Sequence, residues 1–165
     1  MENNLVGMKN GMTLLFISSS VPPHFESQTI RNVFFLRGLV RYGFKVIIVT
    51  LVSTTEDKTL NDLMPDVTVI YTGDSWFKRL QNYICSIKGW NKINWLLGIF
   101  ANYFLLPDPL SGWDKILYKK LSGYKFPHTP EMIISSSGSF TAHIAAEKLS
   151  KTLKIPFALE MGDPW

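Results

Sequence analysis

The sequence predicts an α/β fold, a Rossmann-like three-layer sandwich with helices on both faces of a parallel sheet. The first observation is its opening, where apolar runs at residues 12–17 and 44–52 flank a helical pattern at 28–42. The second is its C-terminal third, where a helical pattern separates the apolar runs at 132–134 and 156–159. Short strands joined through a helix are parallel, and the crossover between them is almost always right-handed. The four runs therefore predict two crossover units.

Each element of the opening unit has its own signal. The first run is followed by an open loop containing Pro22-Pro23, where helix is disfavoured because proline lacks an amide hydrogen. The helical pattern has a wide apolar stripe, and Gly43 is placed to end it. The run at 44–52 is almost wholly apolar, which is typical of a strand covered on both faces.

The middle of the chain adds a third strand and three helices. They are predicted at 67–71, 76–88, 90–106 and 113–121, after a polar loop with a short helix at 53–65. The segment 90–106 is unusually apolar and is expected to pack against the sheet or against a further domain. A membrane interface is the alternative, because Lys88 and Lys92 lie beside it and basic residues favour anionic headgroups.

Five strands, the first two joined by one crossover, predict the sheet order 3-2-1-4-5. The direction of winding then reverses between the first and fourth strands, which is where ligands of doubly wound folds bind. The loops at that reversal are residues 18–28 and 135–139. We expect them to line one crevice.

Composition narrows the class of protein. The chain has 165 residues, which fits a single domain, and 46% of them are hydrophobic, which excludes a disordered tail. Its net charge of +4 comes from scattered basic residues, so nucleic-acid binding is not expected. The lone cysteine, Cys85, cannot form an internal disulfide and is expected to be buried. The N-terminal residues lack the features of a secretory signal, which predicts a cytoplasmic protein.

The serine-rich loop at 135–139 is the stronger of the two candidate site loops. Gly138 and its small neighbours Ser136, Ser137 and Ser139 would let a ligand approach the backbone, and amides at the start of the next helix attract oxygen or anionic groups. The alternative is a plain helix cap supplied by Ser137 or Ser139. Neither site loop carries a dinucleotide fingerprint, and the chain has neither a phosphate-binding P-loop motif nor a G-x-S-x-G hydrolase motif.

Individual charged and titratable residues complete the candidate site. His24 lies in the proline-containing loop, and Arg31 lies in the first turn of the first helix, where it could reach an anionic group or stay solvated. Asp163 follows the last strand and could accept a proton from an attacking hydroxyl. The alternative is that Asp163-Pro164 only forms a turn. His143 falls on the polar face of its helix and is expected at the surface. The three histidines lie far apart in sequence, so no metal site is expected.

Taken together, these segments resemble the N-terminal domain of family-4 retaining glycosyltransferases, which have the GT-B fold. The matching positions of the C-terminal third are Pro130, Ile133, Ser139, His143, Pro156, Asp163, Pro164 and Trp165. The opening strand, the Pro22-Pro23 loop and Arg31 also fit, as does Pro107-Asp108 before Gly112-Trp113. The arginine that precedes Asp-Pro-Trp in that family is replaced here by Gly162.

The resemblance implies that residues 1–165 are the acceptor-side domain of a sugar transferase whose C-terminal, donor-binding domain is absent. Asp163 would then be the catalytic residue. The substrate-binding residues would be Pro22, Pro23, His24, Arg31, Ser136, Ser137, Gly138 and Ser139.

By this resemblance, a nucleotide-sugar donor is expected only with the missing domain, and no metal is expected. The acceptor would be a sugar or a lipid-linked precursor of surface polysaccharide or glycolipid. The site could work at the inner face of the membrane. Two alternatives are a stand-alone acceptor-binding subunit of a split transferase and a non-enzymatic ligand-binding module.

Overall fold

A parallel sheet runs through the part of the chain that the computed structural model describes, residues 11–22, 26–51, 65, 67–87, 91–136 and 138–162. Its strands are β1 (Thr13–Ile17), β2 (Lys45–Thr50), β3 (Thr68–Tyr71), β4 (Met132–Ser136) and β5 (Phe157–Glu160). They lie in the order β3-β2-β1-β4-β5, and all four neighbouring pairs are parallel. The predicted fold class and strand order are confirmed.

Helices connect and cover the strands. They are α1 (Ser27–Arg41), α2 (Trp76–Cys85), α3 (Asn91–Phe104), α4 (Trp113–Leu121) and α5 (Phe140–Leu153). Gly43 ends α1, as the sequence predicts. It takes a left-handed φ of 84° and donates its amide hydrogen to the carbonyl of Val40. The predicted loop and short helix at 53–65 lie almost wholly outside the described residues.

The alternation of side chains along the central strands divides the core into two layers. Leu14 and Phe16 of β1 pack with Leu36 of α1 on one face of the sheet. Leu15 and Ile17 point the other way, toward the side covered by α4 and α5. This second layer is the larger one, and its helical members include Trp113, Leu117, Ala142, Ala145 and Leu149. Both faces of β1 are therefore buried, as its unbroken apolar sequence predicts.

Two local predictions are wrong. β4 continues through Ser135 and Ser136, because β1 pairs with it as far as Ser135 and β5 as far as Ser136, so the serine-rich loop begins later than expected. Cys85 is not buried but exposed, at the C-terminal end of α2. The main contacts of α3 within the described residues are with α2, and its expected packing against a further domain stays a prediction.

Candidate functional site

The candidate site lies at the carboxyl edge of the sheet, where the winding reverses between β1 and β4. The two loops that follow these strands touch each other there. A Cβ atom added to Gly138 would collide with the side chains of Ser19 and Ser20. Only glycine allows this close approach, and the two loops predicted to line one crevice do lie side by side.

The two serines that end β4 point to opposite faces of the sheet. Ser136 faces α1, and Ser135 faces α5, as expected for successive residues of a strand. Both are fully buried. A buried hydroxyl needs a hydrogen-bond partner, and each serine finds one on the helix that covers its face.

On the α1 side, Asn32 joins the loop after β1 to β4. Its amide nitrogen donates to Ser18 Oγ at 3.0 Å and to the carbonyl oxygen of Ser20 at 2.8 Å. Its amide oxygen lies 2.8 Å from Ser136 Oγ. The Asn32 side chain is buried, and it fixes the distance between the two site loops.

An ion pair at the rim completes this network. Arg31 Nη2 lies 3.2 Å from Glu160 Oε1, and the side chains of the two residues are 38% and 25% exposed. Gln28 Oε1 accepts a hydrogen bond from Arg31 at 2.5 Å, and Gln28 Nε2 donates to Ser136 Oγ at 2.8 Å. Ser136 Oγ also lies 2.8 Å from Glu160 Oε2. The Ser136 hydroxyl has one proton, so it donates to Glu160 or to Asn32 and not to both at once.

We call Gln28, Arg31, Asn32, Ser136 and Glu160 the edge cluster. Three of them come from the first two turns of α1, and two come from the ends of adjacent strands that are paired in register, Ser136 with Glu160. The buried part of the cluster is rigid because its members are hydrogen-bonded to one another. The partly exposed Arg31 and Glu160 present a donor and an acceptor to solvent.

On the α5 side, the start of the helix is occupied by a carboxylate of the chain itself. Asp108 Oδ2 accepts hydrogen bonds from the backbone amide of Thr141 at 2.8 Å and from Ser139 Oγ at 2.9 Å. Asp108 Oδ1 accepts from Thr141 Oγ1 at 2.9 Å. Ser139 is the N-cap residue by position, but its hydroxyl donates to Asp108 and makes no cap bond to the helix. The carboxylate therefore meets the positive end of the α5 dipole.

His143 is buried, not at the surface as its sequence position predicts. Its Nδ1 lies 2.7 Å from Ser135 Oγ, and its Nε2 is buried without a hydrogen-bond partner among the described residues. Burial lowers the pKa of His143, and the negative charges of Glu160 and Asp108 oppose that shift. The prediction failed because the exposed polar residues of α5 begin only at Glu147, and the first turn of the helix lies beside the end of β4, where Ser135 contacts the His143 ring.

The predicted site residues divide into two groups. Pro22, Arg31, Ser136, Gly138 and Ser139 all lie at the carboxyl edge or in the loops around it. Pro22 is buried, and the others make the contacts given above. Pro23, His24, Ser137 and Asp163 lie outside the described residues.

Sequence reasoning missed Gln28, Asn32, Asp108 and Glu160. Gln28 and Asn32 stand at i and i+4 on α1, so their amide side chains share one face of the helix, a signal for a polar contact. Glu160 ends a strand that enters the same carboxyl edge.

Among the residues that the structure describes, no three histidine, cysteine or acidic side chains are grouped so as to hold a metal ion. Comparison with known proteins finds no matching family model, no matching curated protein and no matching solved structure. The similarity to family-4 glycosyltransferases stays a prediction from the sequence.

Proposed function

We propose that the chain is the acceptor-binding half of a retaining glycosyltransferase, in which the edge cluster holds hydroxyl groups of a sugar acceptor. The observation that carries this proposal is the Arg31–Glu160 pair, set 3.2 Å apart at the reversal point of the sheet and supported from beneath by buried polar side chains. Ligands of doubly wound sheets bind at this point.

The electrostatics of the edge favour a neutral, hydroxyl-bearing ligand over a phosphate. Arg31 and Glu160 form an ion pair, so each offsets the charge of the other, and together they offer a donor and an acceptor at a spacing that vicinal hydroxyls can match. The start of α5 is the natural place for a phosphate, but Asp108 already accepts the Thr141 amide hydrogen there. A preference for a neutral ligand over a phosphate supports the sugar acceptor, rather than the nucleotide-sugar donor, as the ligand of this domain.

The proposed reaction needs a second domain. The bond between the anomeric carbon of the donor sugar and its diphosphate breaks, and a bond from that carbon to the acceptor oxygen forms with retention. The acceptor hydroxyl loses its proton to a carboxylate, for which Asp163 is the candidate because it follows β5 in the sequence. The donor is held by the C-terminal domain that the family resemblance implies.

A glycan array tests the proposal. Labelled chain is applied to immobilised mono- and oligosaccharides, and calorimetry measures its affinity for uridine and guanosine diphosphate sugars. We expect binding to a restricted group of glycans and weak or absent binding to nucleotide-sugars. Glu160→Gln should reduce glycan binding, since it removes an acceptor charge and the partner of Arg31.

Glu147→Gln is the matched control, because it also removes the acid of a side-chain ion pair, with Lys151 at 2.7 Å, but on the exposed face of α5. It should bind glycans as the wild type does. Tight nucleotide-sugar binding by the chain alone, or equal loss of glycan binding in both variants, would contradict the proposal. Glycan binding without transfer, even when a donor-binding chain is supplied, would support the alternative of a non-enzymatic binding module.

A further inference from the structure

The outer side of the α2–α3 pair carries a large exposed apolar surface. Its members are aromatic or aliphatic side chains that are each at least 38% exposed: Trp76, Leu80, Tyr83, Ile93, Trp95, Leu96, Ile99, Phe100, Tyr103, Phe104 and Leu106. We call this set the hairpin surface. Contiguous apolar surface of this kind is uncommon on monomers and marks an interaction site.

The arrangement along both helices is regular. Trp76, Leu80 and Tyr83 recur at i, i+4 and i+7, so they form one stripe on α2. On α3, the exposed apolar residues cover about half of the helix circumference at 100° per residue. Phe100 and Phe104 stack on each other with ring centroids 4.9 Å apart, and the side chain of Phe104 is 70% exposed. The hairpin surface is therefore rich in exposed aromatic side chains.

The charge around this surface is mostly positive, although Asp74 lies close enough to Lys78 and Arg79 to interact with both. Between Ser75 and Pro107 the sequence has the four basic residues Lys78, Arg79, Lys88 and Lys92 and no aspartate or glutamate, although the chain has 13 acidic residues. A surface made to bind a second copy of itself would bring these like charges together. The charge instead complements an anionic surface.

A cavity of about 590 Å³ adjoins the hairpin surface. Trp76 and Leu106 belong to both, and Pro107 continues the apolar wall. Arg79, Lys115 and Lys148 also line it. Lys148 is paired with Asp114 at 2.5 Å, and Asp74 offsets part of the charge of Arg79. The cavity keeps an excess of positive charge, to which the exposed Lys115 and Arg79 contribute. A pocket with an apolar wall and cationic side chains fits an anionic headgroup attached to an acyl chain.

We propose that the hairpin surface docks on an anionic lipid bilayer, with α3 lying in the interface and the cavity taking a lipid phosphate. Among the described residues, no helix combines the length and apolar character needed to cross a bilayer. The proposed docking places α3 in the plane of the interface. Tryptophan and tyrosine favour the interface because one end of each side chain is polar. This docking surface is separate from the edge cluster, and it stands even if the proposed sugar site is wrong.

Vesicle flotation of the whole chain tests this inference. The probes are pure phosphatidylcholine vesicles and vesicles of phosphatidylcholine with phosphatidylglycerol. We expect the chain to float with the anionic vesicles, and we expect binding to weaken as salt rises, because the Debye length shrinks from about 10 Å at 0.1 M to about 3 Å at 1 M. Brominated phosphatidylcholine in the anionic vesicles should quench the tryptophan fluorescence of the wild type, and Trp95→Phe should reduce the quenching.

Two sets of variants separate the apolar and charged contributions. Phe100→Ser/Phe104→Ser should lower the partition coefficient by roughly tenfold or more, because two exposed aromatic anchors are lost. Arg79→Gln and Lys115→Gln should each lower it by roughly fivefold on anionic vesicles only. The matched control is Phe34→Ser/Tyr42→Ser, which removes two aromatic residues, each 67% exposed, from α1 on the other face of the sheet. It should bind as the wild type does.

Three results would overturn the inference. The wild type could fail to float with anionic vesicles, or the control variant could lose binding as fully as the hairpin variant. The third is a dimer in light scattering that Phe100→Ser/Phe104→Ser dissociates, with no vesicle binding, which would make this surface a contact between two copies of the chain. Thermal denaturation of each variant shows that a loss of binding is not a loss of fold.

Discussion

The guanidinium group of Arg31 lies against the Cα atom of Gly162, in the space that any side chain at position 162 would enter. Gly162 stands where the glycosyltransferase pattern has an arginine, and here the guanidinium group beside it comes from α1 instead. The same group pairs with Glu160, two residues earlier in the chain, at 3.2 Å. The glycine after β5 thus sets the position of the charged rim of the edge cluster.

Gly162→Ala should displace the Arg31 guanidinium and break its pair with Glu160. The loss of folding stability should be below about 1 kcal/mol, because the pair is partly exposed and solvent screens it. The affinity for glycan should fall by more than this small loss of folding stability can explain. Urea denaturation and the glycan array measure the two effects.

Gly38→Ala is the control for this substitution. It lies in α1, and an added Cβ there would meet nothing within 4 Å. Alanine should stabilise the helix by roughly 0.5–1 kcal/mol and leave glycan binding unchanged. In an Arg31→Gln background, Gly162→Ala should have no further effect on binding, and a full additional loss there would refute the displacement of Arg31.

Gly138→Ala should separate the two site loops. The added methyl group would overlap Ser20, and overpacking of this kind costs roughly 1–3 kcal/mol. Ser20→Gly makes room for that methyl group, so the double variant should recover most of the lost stability. Thermal unfolding measures the stability of both variants. A double variant no more stable than Gly138→Ala would mean that the two loops do not touch as described.

Asp108→Asn should weaken the start of α5. The carboxylate accepts hydrogen bonds from Ser139 and Thr141 and faces the positive end of the helix dipole, so removing its charge should cost roughly 1–2 kcal/mol. Chemical denaturation measures the cost. An unchanged midpoint would show that Asp108 is not the cap of this helix.

Stability should depend on pH through His143. Burial holds its pKa below the ordinary value of 6.5, so just below pH 6.5 the unfolded chain binds the proton and the folded chain does not. Stability from this group is therefore full above pH 6.5 and is lost as pH falls through 6.5 toward the lower folded pKa. Urea midpoints measured on both sides of that value should show the fall.

His143→Gln should flatten this pH dependence, whatever its effect on the stability at neutral pH. The exposed His128 provides the matched variant, and His128→Gln should retain the wild-type dependence. If the stability of the wild type does not fall on acidification, or falls equally in His143→Gln, then the histidine is not buried in its neutral form.

The sheet order was predictable because apolar runs, helical spacing and crossover rules act locally along the chain. The position of Arg31 at the site followed from the same rules. The role of Glu160 could not be predicted, because it depends on the register of β5 against β4, which places it beside Ser136. The burial of His143 depends on how α5 packs beside the end of β4, where Ser135 contacts its ring. Periodicity within one helix cannot show what covers it.

Chemical-shift mapping of the ¹⁵N-labelled chain tests the central claim most directly. The ligand is the glycan that binds best on the array, added in steps to the wild type. We predict that the shifts concentrate at Gln28, Arg31, Ser136 and Glu160, and that the Arg31 side-chain NH signal moves with them. Shifts confined to other surfaces, with the signals of these four residues unmoved at saturation, would contradict the claim that the carboxyl edge holds the acceptor.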